Sequence, residues 1–172
     1  MRGTMRHPKF GLFVWAGTLC AWITTASAAD SSTVTPTNSF LSAQLVGKVS
    51  HKTEKVDTAV GQIEHHTSSA QQEDARLSIT ATVVPSIVTR VLSDALLYRK
   101  ARTELMARYD GKVVSWKACQ HAGYSCRWLR YDTGDGKHGL ARFYLYDGTL
   151  VVLNAVYNDA ESVAQAFLDS AQ

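Results

Sequence analysis

The sequence predicts an α+β domain, an antiparallel β-sheet with a long central helix and a C-terminal helix packed on it. Three observations carry that expectation. Strict alternation runs through Arg76–Val83, where Leu77, Ile79, Ala81 and Val83 are interleaved with Ser78, Thr80 and Thr82, the mark of a half-buried strand. Helical spacing follows from Ser86 to Tyr109, through Ile87, Val91, Ala95, Tyr98, Ala101, Leu105 and Tyr109. The chain then closes on strand, turn, strand and helix: Gly139–Tyr146, Asp147-Gly148, Thr149–Tyr157 and a last amphipathic stretch to Gln172.

Residues 1–28 read as an export signal. Arg2, Arg6 and Lys9 form a basic start, Phe10 to Ile23 is mostly apolar, and Ala26-Ser27-Ala28 is the small-x-small pattern at which a signal peptidase cuts. Roughly 14 apolar-leaning residues fall short of the ~20 that a membrane span needs. Cleavage near Ala28 is therefore expected, and Leu19 before Cys20 argues against lipoprotein processing. The expected location is periplasmic or secreted, with no membrane contact once the leader is gone. The 18 Lys+Arg and 15 Asp+Glu of the chain include three basic leader residues, so the exported part balances at 15 against 15. Such a chain lacks the basic footprint that nucleic acid or anionic lipid requires. What remains suits a single core.

Residues 29–39, Ser/Thr-rich with Pro36 and without apolar period, are expected to be a linker, with one domain over 40–172. Phe40–Val46, closed by Gly47, is the first expected strand, and polar Lys48–Lys55 a turn. Thr58–Ser69 is a second strand, with Ala59, Gly61 and Ile63 facing away from Gln62, Glu64 and His66; Gln71–Asp74 is a turn. Pro85 ends the Arg76–Val83 strand and opens the helical stretch, within which Ser93-Asp94 offers a second cap. Arg99, Lys100, Arg102 and Arg108 fall mostly on its solvent side, and Gly111 is placed to stop it in a left-handed conformation.

After Gly111 the period returns to two. Val113, Val114 and Trp116 lead into Cys119, and Tyr124, Cys126, Trp128 and Arg130 alternate with Ser125, Arg127, Leu129 and Tyr131. Thr133–Gly136 is a turn. Asp147-Gly148 between apolar runs is a strong hairpin signal, because a type I′ turn needs positive φ at both central residues. Asn158, with Glu161 three residues on, is the expected cap of the last helix, whose apolar face is Ala160, Val163, Ala166 and Phe167. Cys119 and Cys126 are the cysteines that survive leader removal, and they flank Gly123. An even number in an oxidising compartment reads as a structural disulfide.

Several of these stretches are similar to a known family. Gly61-Gln62-Ile63, the strand Ile79-Thr80-Ala81-Thr82-Val83-Val84-Pro85, the helix ending at Gly111, Arg142-Phe143-Tyr144-Leu145, Leu150-Val151-Val152-Leu153 and Ala166-Phe167-Leu168-Asp169-Ser170 together resemble the PsbP/Mog1-like fold, in particular its exported bacterial members of unknown function. The resemblance covers about Phe40 to Gln172 and consists of packing and turn patterns. It implies an α/β/α sandwich that serves as a binding or scaffold module. Plant members are lumenal subunits of the oxygen-evolving complex and the yeast member binds a small GTPase. Neither role transfers, since no transit peptide or partner-binding residue can be matched here.

No catalytic signature is found. Glu64-His65-His66, with His51, His121 and His138, invites a metal reading. On a strand, however, neighbouring side chains point to opposite faces, and a buried zinc needs three or four converging ligands. A calcium loop starting at Asp132 would place Phe143 where a bidentate glutamate belongs. A Gly-x-Ser-x-Gly elbow is missing, and Gly134-Asp135-Gly136 lacks the strand–turn–helix setting of a phosphate loop. We therefore expect no catalytic residue, cofactor or metal. Arginines and aromatics of the meander supply the candidate binding surface: Trp116, Arg127, Trp128, Arg130, Arg142 and Tyr144. The functional expectation is an exported, non-enzymatic binding or scaffold protein that engages a periplasmic protein or a small ligand. One alternative is an inhibitor or immunity-type protein with a disulfide-braced loop at Gln120–Ser125. Another is a small hydrolase using Glu64, His66 or His121, which requires those side chains in one pocket.

Overall fold

Two runs of hairpins build the sheet. The computed structural model describes residues 30–172 except 59, 60 and 73, so the expected signal peptide lies outside the described residues. In chain order the elements are β1 (Ser31–Val34), β2 (Ala43–Val46), β3 (Ser50–Thr58), β4 (Gly61–Gln72), β5 (Ala75–Val83), α1 (Ser86–Val91), α2 (Asp94–Tyr109), β6 (Lys112–His121), β7 (Tyr124–Asp132), β8 (His138–Tyr146), β9 (Thr149–Tyr157) and α3 (Glu161–Asp169). β3 to β5 pair in succession, as do β6 to β9, and β9 then lies antiparallel against β5. The result is a seven-stranded antiparallel sheet in the order β3-β4-β5-β9-β8-β7-β6, with β1 and β2 as a separate ribbon. Asp147 (φ 45°) and Gly148 (φ 71°) make the expected turn, and Ala122 (φ 52°) with Gly123 (φ 79°) repeats it between β6 and β7.

Alternation sorts the side chains onto two faces. On one, Leu77, Ile79, Ala81, Leu140, Val151, Leu153 and Ala155 lie under α3 and the ribbon, closed over by Leu41, Leu45, Phe167 and Leu168. On the other, Leu129, Tyr131, Ala141, Phe143 and Val156 meet Tyr98, Ala101, Leu105 and Tyr109 of α2. This is the α/β/α layering. The two helices are anchored unequally. α3, nine residues long, buries Ala164, Phe167 and Leu168, whereas α2, sixteen residues long, buries only Leu97 and Tyr98. At about 1.5–3 kcal/mol per large apolar side chain fully buried, α2 is the more lightly held for its length.

One close approach fixes the centre of the α2 face. Tyr131 is registered opposite Gly139, and a Cβ on that glycine would lie 2.1 Å from the Tyr131 ring. The buried Tyr131 hydroxyl donates to Asn154 Oδ1 at 2.7 Å, and Asn154 Nδ2 donates to the Tyr109 hydroxyl at 3.3 Å. A glycine on β8 thus makes room for the tyrosine that ties β7 and β9 to the end of α2.

The structure departs from the sequence expectations at several points. Ser31–Val34, within the expected linker, is a strand registered with β2 from Ser31↔Val46 to Val34↔Ala43. Its own residues are mostly exposed, while Ala43 and Leu45 of its partner supply the burial, so no apolar period marks it. The strand expected over Phe40–Val46 narrows to Ala43–Val46. Lys48–Lys55 is largely strand rather than turn, because β3 is an edge strand held by its ladder to β4 and needs no apolar face. Helix α2 ends with Asp110 (φ 47°), not Gly111, in the left-handed conformation; Gly111 sits in a tight spot, where a Cβ would come 3.1 Å from Met106 Sδ and push that side chain aside. The α3 cap is Ala160, while the Asn158 N–H is engaged by the Asp74 carbonyl at 3.4 Å. Of the expected apolar face, Ala160, Val163 and Phe167 pack on the core, Ala166 is exposed, and Ala164 and Leu168 are buried beside them.

Gly139→Ala tests the tyrosine–glycine contact. We expect a loss of about 3 kcal/mol from overpacking, read as a lower denaturation midpoint, and Tyr131→Ala in the same background should relieve the clash so that the two losses do not add.

Candidate functional site

Helix α2 crosses its face like a beam and touches the sheet along one line, through Tyr98, Leu105 and Tyr109. Tyr98 adds a polar anchor, its hydroxyl accepting the Leu145 N–H at 3.0 Å. The flanks of the beam stay open. Towards β3–β5, Leu97, Lys100, Ala101, Glu104 and Arg108 overhang Val56, Ile63, His65, Thr82 and Leu150, with Val84 and Val88 closing the end near α1. The cleft between them holds about 330 Å³. A narrower recess of about 90 Å³ continues from it over Ser78, Thr80 and Asn154, sharing His65, Thr82 and Arg108.

The floor follows from the alternation of β4 and β5. Placing Leu77, Ile79 and Ala81 in the core turns Ser78, Thr80 and Thr82 towards α2, beside Thr67 and His65 of β4. The hydroxyls pair across the strands: His65 Nδ1 lies 2.7 Å from Thr82 Oγ1, and Thr67 Oγ1 lies 2.9 Å from Thr80 Oγ1. Burial holds the His65 imidazole below its ordinary value of 6.5; Glu104 pulls it the other way and Arg108 adds to the lowering. The cleft therefore joins apolar walls to a floor of neutral hydrogen-bonding groups. Arrangements of this kind bind a small molecule by its apolar body and fix its orientation by a few polar contacts.

No protein-family model and no curated protein matches the sequence. The solution structure of cyanobacterial PsbP (CyanoP) from Synechocystis sp. PCC 6803 superposes with a TM-score of 0.55 at 15% identity, over 91% of this chain and 99% of that one. The fold is PsbP-like. PA94 from Pseudomonas aeruginosa, a protein of unknown function and putative regulator, aligns at a TM-score of 0.38 and 13% identity over 69% of this chain and 94% of its own, too loose a likeness to argue from. Among the described residues no helix is long and apolar enough to cross a membrane.

The PsbP-like sheet separates the six residues of the expected binding surface. Trp116 and Arg127 lie on the α2 face; Trp128, Arg130, Arg142 and Tyr144 lie on the α3 face. Arg142 is 8% exposed and Tyr144 fully buried, so neither belongs to a surface. Arg142 donates from Nη1 to the Leu168 carbonyl at 2.9 Å and from Nη2 to Asp169 Oδ1 at 2.6 Å, clamping the end of α3. The Tyr144 hydroxyl lies 3.1 Å from His121 Nδ1, and Arg130 pairs with Glu161 at 2.9 Å. Cys119 and Cys126 are a registered pair joined by a disulfide, Cα to Cα 4.9 Å.

The histidines are scattered as the pleat requires. Glu64 and His66 share the α3 side of β4, with His66 Nε2 3.5 Å from Glu64 Oε2, and His65 points into the cleft on the other side. His121 stands on β6, five strand spacings away in the sheet order, or roughly 24 Å. Sequence reasoning missed the cleft residues of α2. The signal lay in Leu97, which falls off the stripe of Ala95, Tyr98, Ala101 and Leu105 and gives the helix a second apolar edge.

Protonation of the half-buried His65 imidazole should weaken the fold. With the folded value below 6.5, the unfolded chain takes up the proton first, so His65 leaves stability intact above that value and erodes it as pH falls towards the folded one. Burial and Arg142 lower His121 in the same direction. Urea midpoints between about pH 7.5 and pH 5 should fall, and His65→Gln should flatten part of that slope; an identical slope in the variant would show that His65 is not shifted.

Proposed function

We propose that the chain is exported by its N-terminal signal and works in the periplasm or outside the cell as a non-enzymatic binding module, with the cleft between α2 and β3–β5 as its ligand site. The observation that carries this reading is the cleft itself, about 330 Å³ of space with Val56, Ile63, Val88 and Leu97 along its walls and His65 and Thr82 at its floor. The ligand is a small amphipathic molecule: its apolar body lies against the valines and leucines, and its polar end meets the His65–Thr82 pair. Lys100, Glu104 and Arg108 at the rim admit polar substituents of either sign. The Cys119–Cys126 disulfide suits an oxidising compartment.

The alternatives draw less support. The hydrolase reading needs Glu64, His66 and His121 in one pocket, and they stand near opposite edges of the sheet. The inhibitor reading needs a docking loop at Gln120–Ser125. The exposed positions of that loop are the small or polar Gln120, Ala122, Gly123 and Ser125, while its two large residues are half-buried and engaged within the fold, Tyr124 against the Phe40 and Tyr146 rings and His121 by the Tyr144 hydroxyl.

The uncharged fluorescent probe N-phenylnaphthylamine tests the site. We expect a saturable rise in emission with the protein, abolished by Ala101→Trp, which fills the cleft from the α2 side, and unchanged by Arg127→Ala on the other flank. Absence of saturable binding, or equal binding by Ala101→Trp, would overturn the assignment.

A further inference from the structure

The second flank of α2 has a different chemistry. Ala95, Arg99 and Arg102 of the helix, Trp116 of β6 and Arg127 of β7 line an open pocket of about 530 Å³. The Arg102 guanidinium lies over the Trp116 ring, 5.2 Å from its centroid, and the Arg127 guanidinium over the Tyr98 ring at 6.0 Å. An aromatic face positions a cation without neutralising it. No carboxylate among the described residues lies within ion-pair distance of these three arginines; the arginines that do pair, Arg130 and Arg142, are on the α3 face. Three positive charges lining one pocket without an ion-pair partner repel one another, and an anion between them would reverse that term. Because acidic and basic residues balance at 15 each beyond the leader, the concentration is local rather than a general excess.

We propose that this pocket binds a phosphate-type oxyanion carried by a small ligand. Guanidinium forks match tetrahedral oxyanions with paired, charge-assisted hydrogen bonds, which ammonium groups cannot reproduce. Three cations suit a dianion better than a single carboxylate. The site is framed by α2, β6 and β7, and its volume falls in the range of small-molecule pockets, which favours a ligand that enters over a partner that lies flat. The inference stands independently of the cleft, since the two sites use opposite flanks of the helix.

Calorimetric titration of the protein at low ionic strength tests it, with inorganic phosphate and phenyl phosphate as probes. Saturable binding is expected, weakened about ten-fold by Arg102→Ala or by Arg127→Ala, with Arg130→Ala, on the other face, as a control that binds normally. Tighter binding of phenyl phosphate identifies an organic phosphate as the natural source, and equal binding identifies the free ion. Arg102→Lys and Arg127→Lys keep the charge and the aromatic contact but lose the fork, so they too should bind more weakly while remaining folded. Absence of saturable binding by the unmodified protein, full affinity in the lysine variants, or retention of binding by the combined Arg99→Ala/Arg102→Ala/Arg127→Ala variant would each overturn the proposal.

Discussion

Nine registered residue pairs between β5 and β9, from Ala75↔Tyr157 to Val83↔Thr149, join two hairpin runs that otherwise share no strand. Both faces of the molecule are built across this seam. On one side Leu77, Ile79 and Ala81 meet Val151, Leu153 and Ala155 to make the centre of the α3 core. On the other, the same pleat places Thr80 and Thr82 beside Val152 and Leu150, which are part of the recess and cleft floor. The cleft floor is thus the reverse side of the core, and its spacing is set by a backbone ladder rather than by loops.

How α2 is attached explains why that reverse side is accessible. A helix that buries few of its residues along a single line leaves its flanks overhanging the sheet, and its polar anchors, Tyr98 on Leu145 and Tyr109 on Asn154, fix its position without widening its footprint. The helical wheel assigns the flanks different residues: Leu97, Ala101 and Glu104 on one, Arg99 and Arg102 on the other. One element therefore separates an apolar cleft with a hydroxyl floor from a cationic pocket.

Much of this was legible wherever the cause is local. Asp147-Gly148 forms its turn because the dihedral demand lies in those two residues, and the β5 alternation reads directly as a strand with a polar face. Cys119 and Cys126 flank a turn that their own spacing implies. What sequence could not show depends on a second element arriving. β3 has no apolar face of its own and is a strand because β4 lies beside it. Arg142 looks like a surface arginine until the end of α3 covers it. Gly139 looks like an ordinary interruption until Tyr131 is found lying where its side chain would be. The clefts were the least legible, because they are defined by the gap between a helix and a sheet that are distant in the chain.

Among the described residues the sheet is open, and its two outer strands, β3 and β6, have no ladder partner along their outer sides. Such edges are templates for adding a foreign strand unless something spoils them. β3 is lined with Lys52, Glu54, Lys55 and Asp57, and a newcomer would have to desolvate that row. β6 is interrupted by a register shift between Val113 and Ser115, so its exposed valines, Val113 and Val114, sit at a bulge and offer no continuous rail. Both edges are therefore poor templates for strand addition, and the open concave surfaces lie elsewhere, on the two flanks of a single helix.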